Sequence, residues 1–110
     1  MIVELRRRDR RHQDLSAQRP YVVIGIEADY FRILNDQGRP FLYSARLFRI
    51  VDRREPNTWI SEVGEEGERY AYPPPLNSAG FFEDFFEGHK RAVRTFWRVV
   101  NDQLTVAAAR

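Results

Sequence analysis

Two histidines and several paired acids are the side chains of this chain best suited to chemistry. His89 follows three acids, Glu83, Asp84 and Glu87, and carboxylates beside an imidazole could bind a metal ion. A metal site needs three or four converging ligands, so we favour a packed histidine on a helix face. His12 lies among arginines, which disfavours a bound cation. We therefore predict no metal.

The acid pairs Glu65-Glu66 and Glu83-Asp84 suggest hydrolysis at first sight. Catalytic carboxylates, however, need separated positions in a cleft that shifts their pKa values, and these are adjacent in a turn and at a helix start. The chain has no cysteine, no nucleophile elbow and no phosphate-binding loop. We predict that the protein is not an enzyme and needs no cofactor.

Charge is distributed unevenly along the 110 residues, a length that suits one domain. Residues 1–19 hold six Arg and three acids, whereas the remainder holds twelve basic and thirteen acidic residues. The folded body is thus nearly neutral, unlike a typical nucleic-acid binder. Because no run is apolar enough for a membrane and no cysteine is present, we predict a cytoplasmic protein without membrane contact.

The basic first segment still leaves a second function open. Arginine binds phosphate well, and small barrels bind nucleic acid when exposed aromatics stack on bases. Tyr21, Tyr30 and Tyr43 could supply such stacking. Charged residues beside a first strand also guard sheet edges against aggregation, and we favour that interpretation. The candidate phosphate contacts are Arg6, Arg7, Arg8, Arg10 and Arg11.

Hydrophobic alternation and turn residues predict an α+β fold in a single domain, residues 1–110. Short antiparallel strands, five to seven in number, cover residues 2–52 and an added hairpin covers 58–72, with a helical turn at Ser44–Leu47. Pro73-Pro74-Pro75 predicts extended polyproline conformation, after which Asn77 or Ser78 could cap a helix. Apolar spacing predicts a helical segment over 78–104, divided near Gly88 and packed on the strands.

The segment 14–52 resembles small bacterial proteins with an SH3-like barrel. The shared pattern is Y-x-V, an aromatic pair with Arg, a D-x-G turn, then L-Y and a Phe. The matching residues are Tyr21, Val23, Tyr30, Phe31, Arg32, Asp36, Gly38, Leu42, Tyr43 and Phe48, with Ser44 where the pattern has proline. The resemblance implies an SH3-like small barrel, many examples of which have no assigned activity.

Acidic and aromatic residues after the strands suggest a surface for a protein partner. We predict a non-enzymatic interaction module, in one form a bacterial inhibitor or immunity-type protein that acts by surface contact. The alternative is a small nucleic-acid-binding barrel. A helix clamped onto the barrel through both of its Phe rows is the plainer interpretation of the same residues, and Trp59 suits either core packing or a contact. The candidate contacts are Tyr30, Trp59, Phe81, Phe82, Phe86, Glu83 and Asp84.

Overall fold

The computed structural model describes residues 1–109, which form seven strands, two α-helices and two short 3-10 helices. The strands are β1 (Ile2–Leu5), β2 (Tyr21–Glu27), β3 (Tyr30–Leu34), β4 (Pro40–Ser44), β5 (Phe48–Asp52), β6 (Ile60–Val63) and β7 (Arg69–Tyr72). The 3-10 helices are Ala45–Leu47 and Pro74–Leu76, and the α-helices are α1 (Phe81–Phe86) and α2 (Lys90–Ala108).

Strand β2 organises the sheet. It pairs with β3 along one edge, while its other edge pairs first with β1 and then, at Ile26 and Glu27, with β7. Strand order is β4-β3-β2-β1-β5, with β6 joined to β7, and all of these pairings are antiparallel. Within the described chain β4 and β5 lie at the two ends of this order, so the sheet is not closed.

Strand β2 contributes to two hydrophobic cores, because neighbouring side chains of a strand point to opposite faces. Val23 packs in the first core with residues such as Ile33 and Phe48, whereas Ile24 packs in the second core beneath the helices. The register shift between Val23 and Gly25 returns Ile26 to the first core, although it is only three residues from Val23. A bulge of this kind places one extra residue in the strand and bends it. Strand β2 is therefore buried on both faces, as its run of apolar residues requires.

Helix α2 covers the second core with one face. Ala92, Phe96 and Val100 recur at spacings of four and are buried against Ile24 and Tyr72. Trp97 is partly buried beside them. No helix in residues 1–109 is both long and apolar enough to cross a membrane.

The α+β class, the antiparallel strands, the helical turn at Ala45–Leu47 and the division at Gly88 are confirmed. The predicted barrel is not shown, because the strand pairing does not close. Pro74–Leu76 forms a 3-10 helix where extended polyproline was expected, since proline's fixed φ also suits a helical first turn. The predicted cap at Asn77 or Ser78 is wrong, because Gly80 precedes α1 with a positive φ.

Gly25 provides a test of the two-sided strand. A Cβ at this position would lie 2.2 Å from a ring carbon of Tyr72, which is itself buried. We expect Gly25→Ala to lower the free energy of unfolding by about 2 kcal/mol, because the ring cannot move within a packed core. Urea unfolding measures the effect.

Gly64→Ala is the matched control. Its Cβ would meet only the carboxylate of Glu68, the end of a flexible side chain in an exposed turn, so we expect little change. Equal losses of unfolding free energy in the two variants would show that the Tyr72 ring does not restrict the space at Gly25.

Candidate protein-binding surface

Helix α1 is short, and its four phenylalanines divide between two faces. Phe81 and Phe85 face α2, where the Phe85 ring centroid lies 4.5 Å from that of Phe96. Phe82 and Phe86 follow one another by a single helical turn and lie over the sheet. The chain enters α1 through Gly80 at φ 75° and leaves it through Gly88 at φ 80°, conformations that glycine adopts without strain.

Phe82 attaches α1 to the sheet through a buried arginine. The guanidinium carbon of Arg32 lies 3.8 Å from the centroid of the Phe82 ring, a close cation–π contact. The Tyr72 ring lies 5.5 Å from Phe82 on another side. Phe82 is therefore mainly a packing residue, although its edge is partly exposed.

The guanidinium of Arg32 has a partner for each of its nitrogens. Nε donates to the Tyr72 hydroxyl at 2.9 Å, Nη1 to the Pro40 carbonyl at 2.9 Å and Nη2 to the Glu27 carboxylate at 2.7 Å. The Tyr72 hydroxyl in turn donates to Glu27. Burial raises the pKa of Tyr72, and the bond to Glu27 adds to that effect. The network is thus fully satisfied inside the protein.

Phe86 leaves an apolar group at the surface. It is 40% exposed, and its ring lies 5.8 Å from that of Phe41, which is 36% exposed. Leu42 is 37% exposed and lies opposite Arg32 in the β3–β4 register, so it shares the face that Phe82 covers, whereas Phe41 lies opposite Ile33 and points to the other face. We call the contacting rings of Phe41 and Phe86, together with Leu42 beside them in the strand, the Phe86 patch.

Unneutralised carboxylates border the Phe86 patch. Glu83, Asp84 and Glu87 are exposed on α1 and the residue after it. Glu83 and Asp84 form no ion pair within residues 1–109, and Glu87 meets only His89, at 3.0 Å. The patch therefore has a negative margin on its α1 side, whereas the exposed guanidinium of Arg39 lies 5.5 Å from the ring centroid of Phe41 on the strand side.

A groove of about 370 Å³ extends this negative margin past Phe82. Its walls include Glu62 from β6, Glu83 from α1 and the Glu27 carboxylate. Glu27 is already paired with Arg32, so Glu62 and Glu83 supply the unneutralised charge. A basic side chain is the group that such a groove would accept.

The other predicted contacts lie in different surroundings. Tyr30 is 49% exposed on β3, diagonal to Leu42 on the same face, and therefore adjoins the Phe86 patch. Phe81 is buried in the second core. Trp59 packs against the first core, with its Nε1 buried and without a hydrogen-bond partner in the described chain. Trp59 and α1 thus belong to separate parts of the molecule.

The basic first segment is exposed, but its proposed stacking aromatics are not. Arg6, Arg7, Arg8, Arg10 and Arg11 all lie at the surface, and Arg11 pairs with Asp9 at 3.2 Å. Tyr21 and Tyr43 are each 4% exposed. Their hydroxyls donate to Asp36 and Asp14, and burial is the main cause that raises both tyrosine pKa values. Tyr30 is left as the exposed member of the three.

The possible metal ligands do converge, but on the surface. Ligand atoms of Asp84, Glu87 and His89 all lie within 4.8 Å of one another, and the three residues are exposed. His89 precedes α2 and meets Glu87, rather than packing in the apolar stripe. Two carboxylates and one imidazole at an exposed turn match the ordinary pairing of a histidine with an acid. The two carboxylates of the cluster add negative charge to the margin of the Phe86 patch.

Phe41 and Leu42 are the surface residues that the sequence did not reveal. A strand with the sequence PFLYS reads as evenly apolar, and nothing in it marks which side chains stay exposed. Their exposure follows from the end position of β4, which only the strand order defines. The sequence offers one indirect signal, which is that this strand contains no charged residue. The signal gains meaning only once β4 is known to have a single neighbour.

Comparison with known proteins provides no relative on which to base a function. The chain matches no protein-family model, no curated protein and no solved structure. The candidate surface therefore depends on its own geometry.

The Arg32 network predicts that removing Glu27 and removing Arg32 lower the free energy of unfolding by different amounts. Glu27→Ala leaves a buried cation without its counter-charge, and we expect a loss of about 3 kcal/mol in the free energy of unfolding. Arg32→Met keeps most of the volume and leaves Glu27, whose side chain is 32% exposed and can reach water, so the loss is smaller. Urea unfolding at neutral pH compares the two. An Arg32→Met variant less stable than Glu27→Ala would contradict this account.

Proposed function

We propose that this protein is a non-enzymatic interaction module that binds a basic protein partner through the Phe86 patch and its acidic margin. The carrying observation is an exposed apolar centre bordered on its α1 side by Glu83 and Asp84, which have no cationic partner in the described residues. Apolar centres with polar rims are typical of protein interfaces.

The rigidity of α1 supports the proposal. Phe85 packs on Phe96 from one side, and Phe82 stacks on Arg32 from the other. Phe86 is therefore held in place before a partner arrives. A preorganised surface loses less entropy on binding, which favours affinity from a small patch.

A bacterial inhibitor or immunity-type protein is the specific form that we favour. Such a protein acts by covering another protein, and a single rigid patch on one domain suits that task. The proposal includes the SH3-like ancestry of the first half of the chain and a cytoplasmic location, which a cysteine-free chain suits.

The titratable groups with shifted pKa values support a non-enzymatic role. Tyr72 and Tyr43 owe their raised pKa values to burial, and their hydroxyls donate to the partly buried carboxylates of Glu27 and Asp14. These bonds join separate elements of the fold, which accounts for the shifts without a catalytic role.

The Phe86 patch can be tested with paired surface variants. With the protein as immobilised bait in lysate of its own host, we expect Phe86→Ser to reduce capture of a saturable partner by about tenfold or more, as for central interface aromatics. The double variant Glu83→Lys/Glu87→Lys should do the same, because it reverses the charge of the margin. Quantitative mass spectrometry measures the captured protein.

Val63→Ser is the control, since Val63 is an apolar residue 74% exposed on β6, a strand that pairs with β7 and not with β4. It should leave capture unchanged. A partner captured equally by the wild type and by both patch variants would refute the proposed surface. Circular dichroism on each variant confirms that the fold is intact.

Nucleic-acid binding through the first segment is the second candidate. It is favoured by Arg6, Arg7 and Arg8, which are exposed and form no ion pair in residues 1–109. Against it, two of the three tyrosines proposed for stacking are buried. The protein-binding proposal therefore has the better support.

Salt dependence separates this second candidate from the first. If the arginines bind phosphates, affinity for a single-stranded oligonucleotide falls with salt, and Arg6→Ala/Arg7→Ala/Arg8→Ala flattens the logarithmic slope by about 0.7 for each phosphate that is no longer neutralised. Fluorescence anisotropy measures the slope. The control triple Arg46→Ala/Arg53→Ala/Arg91→Ala removes the same charge from other exposed positions. Equal slopes for the two triple variants would contradict a dedicated site.

A further inference from the structure

Strand β4 presents an open edge beside the Phe86 patch. It pairs with β3, and no other strand of the described chain lies along its outer side. We propose that the basic partner joins the sheet as an added strand along β4, with its cationic side chains toward α1. This inference rests on the proposed function and specifies how that surface is used.

The register shows which backbone groups are available. Ala45 donates its N–H to Asp29, and Asn35 donates to Arg39, so alternate residues of the β3–β4 pair exchange hydrogen bonds. Leu42 and Arg32 form one of the intervening pairs, which exchange no hydrogen bonds. The N–H and C=O of Leu42 therefore point away from β3. Ser44 has the same orientation. These groups can accept an extended segment, as in known strand addition.

The composition of β4 leaves this edge unguarded. Exposed edges are usually protected by charged residues, and β5 at the opposite end of the order carries Arg49, which pairs with Glu4. Strand β4 (PFLYS) contains no charge, and Pro40 protects only its first residue. The edge thus has no charged residue within the strand, and the nearest exposed charges in the sequence are Arg39 before it and Arg46 after it.

The charges on α1 determine the chemistry of the occupant. Glu83 and Asp84 have no cationic partner within residues 1–109, and they lie on the helix whose Phe86 contacts Phe41 of β4. An extended segment that carries lysine or arginine on one face complements these charges. A second copy of this chain would bring its own acids to the same extended sheet, which like-charge repulsion opposes.

The test uses a short capped peptide in which lysine alternates with valine. We expect it to bind, and Leu42→Pro to weaken it by about tenfold or more, because proline removes the outward N–H. Leu42→Ala keeps that N–H and should weaken binding much less. Val63→Pro is the matched control on β6, where the Gly64-to-Glu68 bond places the Val63 N–H outward as well. The affinities are measured by isothermal titration calorimetry.

Peptide variants and exchange measurements separate the outcomes. A peptide with alternate backbone N-methyl groups should bind about tenfold more weakly or not at all, and a glutamate version should not bind. Hydrogen exchange should show new protection at Leu42 and Ser44 in the complex, which keeps the test valid if Leu42→Pro unfolds. Binding that requires Phe86 but tolerates N-methylation and Leu42→Pro would refute strand addition and leave the proposed function standing.

Two further outcomes also decide between the proposals. If the lysine peptide does not bind the wild type at all, addition of a basic strand is refuted, and the Phe86→Ser capture experiment still decides the proposed function. If β4 instead pairs with itself, the protein will sediment as a dimer that Leu42→Pro disrupts, and the basic partner will be wrong.

Discussion

One buried guanidinium holds the parts of this molecule together. Arg32 of β3 bonds to Glu27 of β2, to Tyr72 of β7 and to the Pro40 carbonyl of β4, and it stacks on Phe82 of α1. A cation 7% exposed is tolerable only when such partners surround it. Because each partner comes from a different element, the positions of those elements are coupled. The placement of α1 is thus a consequence of where one charge has to be neutralised.

A second constraint acts within β2, which serves two cores. Val23 and Ile26 pack in one cluster and Ile24 packs in the other, and the register shift between Val23 and Gly25 permits two residues three apart to share a face. The close approach of Tyr72 to Gly25 then fixes β7 and brings the tyrosine hydroxyl to Arg32. The bulge and the buried cation therefore act together. Both arrangements need glycine at position 25, because a larger residue would obstruct the Tyr72 ring.

The sequence predicted the elements better than their relations. Alternation located β2 and β3, and the apolar stripe with Phe96 located α2, because these signals depend on neighbours a few residues apart. Closure of the sheet depends on pairings across the whole chain, and no local pattern reports them. The burial of Arg32 was equally hidden, since Tyr72 lies forty residues away. Exposure at Phe86 was predicted among several candidates, but its neighbour Phe41 was not.

The same coupling links stability to the proposed binding. Helix α1 has six residues, too few to be stable alone in water, so its order depends on the contacts of Phe85 and Phe82. Phe86 lies in the same row as Phe82 but one turn further on, where it meets Phe41 and stays 40% exposed. The exposure of Phe86 therefore follows from the way in which Phe82 and Phe85 hold the helix. The carboxylates beside Phe86 repel other acidic surfaces and so limit unselective association. A partner that brings positive charge removes that repulsion and covers the apolar ring, so selectivity and affinity arise from the same few residues.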